Sequence, residues 1–344
     1  MTTRHPAERT VPVERLRLGD HACMGPGTPD EAGRSPWKVF TAYTRTSLAR
    51  GEKVLLVMDP DDLSDDEVVA LLDRGSGQVV AARAGGQLSL KRSTEIYAPD
   101  GRFRERRTID TYASEVDRAC KEGWSGLRVT ADMSWAPRMN LGHDRLLDYE
   151  ASVAPLFADP LFTAICWYDR RHFDDDVTAR VGKVHPLRVM ERLDSLEAAE
   201  TSDGGRIAGS AELSTRTEFV EALREALERR DDAGPSHLVL DLRDLCFMEA
   251  HCAWQLISLA ASLPAGSEVT VRCGELLGLV LEQLGAGEVP QLLVSVEAAG
   301  DEDEDEVAGR AGAGAGTDIE PGPGFGLGLG FGLGLGLGLR GDAG

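Results

Sequence analysis

The sequence predicts an α/β protein built as two successive domains and a tail. Three observations carry that reading. Short apolar runs of strand length alternate with longer stretches of helical period, a second such series begins near residue 198, and charge is spread unevenly along the chain. Strands separated by helices imply a mainly parallel sheet covered on both faces.

In the first series KVLLVM (53–58), LRVTA (127–131) and FTAICW (162–167) read as strands. Helices are expected at 36–49, 110–121 and 144–157; in the last, Leu146, Leu147, Ala151, Ala154 and Phe157 approximate the helical period. In the second series RIAGSAELS (206–214), HLVLDL (237–242), EVTVRC (268–273) and QLLVSVE (291–297) read as strands. Thr215 and Glu218 have capping-box spacing, and Phe219, Val220, Leu223, Ala226 and Leu227 then form one apolar stripe. Further helices are expected at 251–263 and 275–284, and the glycine-containing stretch 190–205 reads as the linker. The domains are thus expected at 10–192 and 199–298. Residues 299–344, with the run Asp301–Glu306 and a Gly/Leu alternation, are expected to be disordered, because like charges repel and glycine loses much entropy on ordering.

The 344 residues carry a net charge of −21, with −4 on 1–198, −10 on 199–298 and −7 on 301–344. Such an acidic balance argues against nucleic-acid binding, which needs clustered cations. There is no apolar run of 18 residues and no secretory pattern at the N-terminus, so a cytoplasmic chain without a membrane span is expected. Six cysteines without a C-x-x-C pair read as buried small hydrophobes in a reducing compartment.

Enzyme signatures fail: there is no G-x-x-x-x-G-K-[ST], no G-x-S-x-G and no H-E-x-x-H. Asp174–Asp176 read as a helix start. Within GDHACMGPGTPD (19–30), His21 and Cys23 would project from one side of an extended segment, ahead of a turn where α/β sheets bind ligands. H-x-C supplies two ligands, short of the three or four that zinc takes, so no metal or other cofactor is expected. Asp59 and Asp132 each follow a strand at the same ligand-binding edge, with turn formation as the plainer reading. Candidate ligand-binding residues are therefore His21, Cys23, Asp59 and Asp132.

GDHACM, GLRVTADMSW (126–135), LLDYEASVAPLF (146–157) and AICWYDRRHF (164–173) followed by His185-Pro186 together resemble the MEDS family, a sensory module of methanogen, methylotroph and actinobacterial regulators. The resemblance implies a RecA/KaiC-like sheet without a working phosphate loop and a role in ligand sensing. Two positions depart from the family pattern: Pro26 stands where tyrosine is usual and Asp132 where glutamate is usual.

The second series resembles the STAS domain of anti-sigma-factor antagonists. LVLDLRDLCFMEAHCAWQL (238–256) follows that family's strand–loop–helix pattern, and GSAELST (209–215) its first strand. The family's loop reads D-S-S-G, whose second serine accepts phosphate from a partner kinase. Here the loop is Glu249, Ala250, His251 and Cys252, so the alcohol is missing. With Glu212, these four are the candidate partner-binding residues. The expected function is a non-enzymatic signalling regulator whose sensory domain biases a partner-binding domain. The expected partner is an anti-sigma factor or related serine-kinase regulator, with a small-molecule ligand on the sensory side. Alternatives are a nucleotide-binding ATPase of the RecA/KaiC type and a non-switching scaffold of a stress-signalling complex.

Overall fold

The computed structural model describes residues 9–25, 36–59, 63–228 and 237–297. The reading of 299–344 as disordered, and Pro26 with the rest of its turn, lie outside the described residues. Two sheets account for the strands. The first has seven, all parallel: β1 (Arg9–Val11), β2 (His21–Met24), β3 (Lys53–Val57), β4 (Leu88–Lys91), β5 (Leu127–Asp132), β6 (Phe162–Trp167) and β7 (Leu187–Val189). Their spatial order is β1-β7-β2-β6-β5-β3-β4.

Helices cover both faces of this sheet, as a parallel sheet requires. On one face α1 (Trp37–Ala49), α2 (Asp65–Asp73) and α3 (Gln78–Ala84) bury Phe40, Tyr43, Leu72 and Val79 against Val54, Leu56 and Ile165. On the other, α4 (Ser93–Tyr97), α5 (Glu105–Lys121), α6 (Trp135–Arg138), α7 (His143–Ser152) and α8 (Asp175–Gly182) bury Tyr97, Tyr112, Trp135, Leu146 and Val181 against Leu55, Val129 and Ala164. The α7 helix ends five residues before the expected boundary. Pro155 has no N–H with which to continue the ladder, and residues 154–157 form a 3-10 turn instead. Asp174 caps α8 as expected, its carboxylate accepting from Val177 N–H at 2.9 Å.

The second sheet holds β8 (Leu196–Glu200), β9 (Gly204–Ala211), β10 (His237–Asp241), β11 (Leu245–Met248), β12 (Glu268–Gly274) and β13 (Leu292–Glu297), in the order β11-β9-β10-β12-β13 with β8 on β9. Helices α9 (Arg216–Glu228), α10 (Ala250–Ala261) and α11 (Glu275–Gln283) share one core with it, around Phe219, Leu240, Leu256, Val271 and Leu281. All pairings are parallel except β8 with β9. Part of the stretch expected to be linker is therefore an antiparallel strand. Two glycines let β9 lie close to its neighbours. A Cβ on Gly204 would lie 2.1 Å from the Val239 carbonyl oxygen of β10; on the hairpin side Gly209 adopts φ +102°, and a Cβ there would lie 2.2 Å from the Ser195 oxygen. The Thr215 hydroxyl also departs from expectation. It donates to the Ser210 carbonyl and accepts from Glu212 N–H, and so serves the preceding turn.

The sheets meet through β1. Asp244, buried just before β11, accepts from Arg9 Nε at 3.2 Å and Arg206 Nε at 3.1 Å. Arg206 Nη2 also donates to the Thr10 carbonyl at 2.5 Å, and Arg15 Nη2 to the Leu245 carbonyl at 2.8 Å. No helix among the described residues is long and apolar enough to cross a membrane.

Candidate functional site

The face of the first sheet under α4–α8 should be apolar throughout, yet it encloses a polar cluster. His21 enters from β2 and Cys166 from β6, strands in direct parallel register with Cys23 opposite Cys166. Glu150 lies on the buried side of α7, between Tyr149 and Val153. His185 follows α8 and precedes β7. All four side chains are buried.

Glu150 Oε2 is the centre of the group. It lies 3.4 Å from His185 Nε2, 3.5 Å from His21 Nε2 and 3.8 Å from Cys166 Sγ. Cys166 Sγ is 3.6 Å from His21 Nε2. The remaining polar atoms of two members are committed elsewhere: Tyr168 OH donates to Glu150 Oε1 at 2.8 Å, and His185 Nδ1 lies 3.0 Å from the Val181 carbonyl. A carbonyl only accepts, so Nδ1 carries the proton and Nε2 presents a lone pair to the cluster. The His21 ring stacks on Phe157 with centroids 4.1 Å apart and also meets the His185 ring at 4.1 Å.

Burial shapes the electrostatics. Desolvation, then the neighbouring His21, holds His185 down to about 4, against the pull of Glu150. Desolvation opposes ionisation of Glu150, but His21, His185 and the Tyr168 hydroxyl together keep its carboxyl below the usual range. Desolvation, then the Glu150 charge, pushes the Cys166 thiol well upward.

His21, Glu150 and Cys166 border a cavity of about 20 Å³ whose other walls include Tyr97, Tyr112 and Tyr149. That is room for one water-sized occupant. A larger cleft of about 220 Å³ opens at the carboxyl end of β2, lined by Cys23, Gly25, Asp175, Thr178, Val181 and Arg188. Cys23 thus stands between cluster and cleft, its Sγ 3.7 Å from the Leu187 carbonyl.

The expected ligand residues do not form one site. His21 and Cys23 share a face, as their spacing predicts. Asp132 is absent from the cluster because side chains alternate across a strand: Val129 and Ala131 of β5 face the cluster's layer, while Asp132 falls in the other phase. Its Oδ1 accepts from Ser134 N–H at 2.9 Å, forming a turn, and burial raises its pKa. Asp59 accepts from Ser93 N–H at 3.2 Å and lies 3.9 Å from Arg138. Asp132 thus holds a turn, while Asp59 ties the end of β3 to the start of α4.

In the second unit the loop residues do come together. Ala250 and His251 are exposed at the start of α10, Cys252 is buried beneath them, and Glu249 Oε1 accepts from Arg216 Nε at 2.6 Å. Glu212 lies at the end of β9, where Glu249 N–H bonds the Ala211 carbonyl at 2.9 Å. Its Oε1 accepts from Ser214.

Residues 20–186 match the MEDS family, the MEthanogen/methylotroph, DcmR Sensory domain. The match spans β2 to the approach to β7 and contains every member of the buried cluster. Similarity to a sensory domain points to a signalling role. No curated protein matches the chain.

Sequence reasoning found one member of the cluster and missed Glu150, Cys166 and His185. All three lie in stretches that carry the MEDS resemblance, but they are 16 to 35 residues apart and share no local pattern. The available signal was Glu150 itself, a carboxylate on the apolar stripe of α7.

Proposed function

We propose that this chain is a signalling regulator that works by binding rather than catalysis. In this reading the MEDS-like unit takes a small ligand in the cleft beside Cys23. The second unit, of anti-sigma-factor-antagonist type, binds an anti-sigma factor or related serine-kinase regulator through the loop at Glu249–Cys252. The observation that carries the reading is the latch at Asp244. It ties β1 of the sensory sheet to β9 of the second sheet, and β11 runs from it directly into that loop. Movement of β7, which pairs with both β1 and β2, therefore has a covalent and hydrogen-bonded route to the partner surface.

Two further features support the binding half. Leu213, Phe247 and Trp254 are exposed large apolar side chains near the loop, the residue type that anchors protein interfaces. His251 and Ala250 supply no alcohol, so binding would not be switched by serine phosphorylation at this position.

The test is complex formation between the full chain and the anti-sigma-factor kinases of its own cell, with and without ATP. The expected result is a complex that leaves this chain unlabelled and weakens by about 2 kcal/mol or more in Trp254→Ala. Ala250→Ser with His251→Ser should then accept phosphate and loosen the complex, because roughly −2 charge enters the contact. Absence of a complex with every such kinase, or phosphate on the unaltered chain, contradicts the proposal.

A further inference from the structure

We propose that His21, Glu150, Cys166 and His185 form a closed site for one tetrahedrally coordinated transition-metal ion of the zinc class. The distances carry the argument. Zinc holds nitrogen and oxygen at ~2.0–2.2 Å and sulfur at ~2.3 Å, so a tetrahedron around it has edges of about 3.4 Å between N and O and about 3.6 Å where sulfur takes part. The cluster shows 3.4 and 3.5 Å for its two N–O edges, 3.6 Å for N–S and 3.8 Å for O–S. All four ligand atoms lie within 4.8 Å of one another.

The two N–O distances are long for direct hydrogen bonding, which for N–H···O centres near ~2.9 Å, while the two sulfur contacts are weak hydrogen bonds. His185 Nε2 makes no hydrogen bond at all, although its side chain is wholly buried. Its lone pair faces the Glu150 carboxylate oxygen, an arrangement of two acceptors that an intervening cation resolves. Ligands of a metal are typically oriented through their other heteroatoms. The Val181 carbonyl does this for His185, and the Tyr168 hydroxyl for Glu150.

The donor set selects the ion. Two imidazoles, a thiolate and one carboxylate suit zinc and its neighbours, whereas magnesium and calcium take oxygen. A divalent ion would also cancel the two negative charges of thiolate and carboxylate, which buried groups require. On binding, the S–H bond of Cys166 breaks, its electron pair goes to the metal and the proton leaves to solvent. Four protein ligands leave no open position, so the ion would hold β2, α7, β6 and the approach to β7 together rather than activate water.

Cobalt(II) is the probe. The full chain, stripped with a chelator, should take up one ion and develop the intense visible bands of four-coordinate cobalt with a thiolate-to-metal band in the near ultraviolet. Cys166→Ser should remove the thiolate band, while Cys120→Ser, at an exposed cysteine, should leave it. Tyr168→Phe removes only the hydrogen bond onto Glu150 and should weaken binding ~10–100-fold without changing the spectrum. The proposal is overturned by no stoichiometric uptake in the unaltered chain, by the pale spectrum of six-coordinate cobalt, by a thiolate band that survives Cys166→Ser, or by unchanged affinity in Tyr168→Phe.

Discussion

The two sheets depart from ordinary globular practice in opposite directions. The first places ionisable groups where apolar side chains belong: Arg128, Glu52, Asp132, Glu150 and His185 are all buried within it. The second leaves apolar side chains in water, with Leu213 and Leu276 three-quarters exposed and Phe247, Trp254 and Leu279 more than half exposed. Buried charge is costly unless closely partnered, and clustered exposed apolar surface is unusual on a unit that has no partner. The contrast is the one expected if the first sheet binds something inside it and the second something outside it, as proposed above.

A second contrast, within the first sheet, shows which buried charges serve the fold. Arg128 meets Glu52 at 2.5 Å, donates to the Leu16 carbonyl at 2.9 Å and lies over the Tyr43 ring. Its Nη2 also donates to Glu52 Oε1 at 3.3 Å, so cation and carboxylate are in direct contact. Around Glu150 Oε2 the partners stand at 3.4–3.8 Å, with a neutral imidazole among them. The nitrogen and sulfur neighbours of this oxygen all stand 3.4 Å or more away, and the proposed metal site rests on that spacing.

The largest expected effect breaks the Arg128–Glu52 pair. Arg128→Met leaves the Glu52 carboxylate buried without its cation and should cost about 3–5 kcal/mol in urea unfolding at pH 7. A loss below about 1 kcal/mol would mean that the pair is solvated. On the second unit, Trp254→Ala should alter stability by no more than about 0.5 kcal/mol, because the ring is already largely in water. Melting of this variant thus tests the inside–outside contrast separately from partner binding. The smallest effect concerns Asp132. Burial raises its pKa, so its ionisation opposes folding once pH exceeds the unfolded value of ~3.9. Asp132→Asn keeps an acceptor for Ser134 N–H and should be the more stable form at pH 7. The advantage should fade as pH falls below ~3.9, and an advantage that persists there would assign it to something other than charge.

Much of the architecture was legible because its strands are buried on both faces and read as continuous apolar runs. KVLLV, LRVTA and FTAICW are of this kind, and each is a strand in the first sheet. The strands that escaped notice are short or polar: β1 and β7 have three residues each, β4 and β11 four each, and β8 is LEAAE, antiparallel and mostly exposed. Of the buried cluster only His21 was legible. His21 stands beside a conspicuous turn, but Cys166 joins it through the register of β2 on β6, and His185 through the path of the chain after α8. Register and return path are tertiary facts, and no spacing in the sequence encodes them.

If the Asp244 contacts couple the two sheets, occupancy of the proposed metal site inside the first is felt on the surface of the second. Hydrogen–deuterium exchange of the full chain, with and without one equivalent of zinc(II), tests it most directly. Zinc should slow exchange at β2, β6 and the start of β7, and should also change exchange at residues 245–254, beyond the Asp244 latch. In Asp244→Ala the first response should remain and the second should disappear. Protection confined to the first sheet in the unaltered chain, or a response at 245–254 that survives Asp244→Ala, would rule out coupling through Asp244.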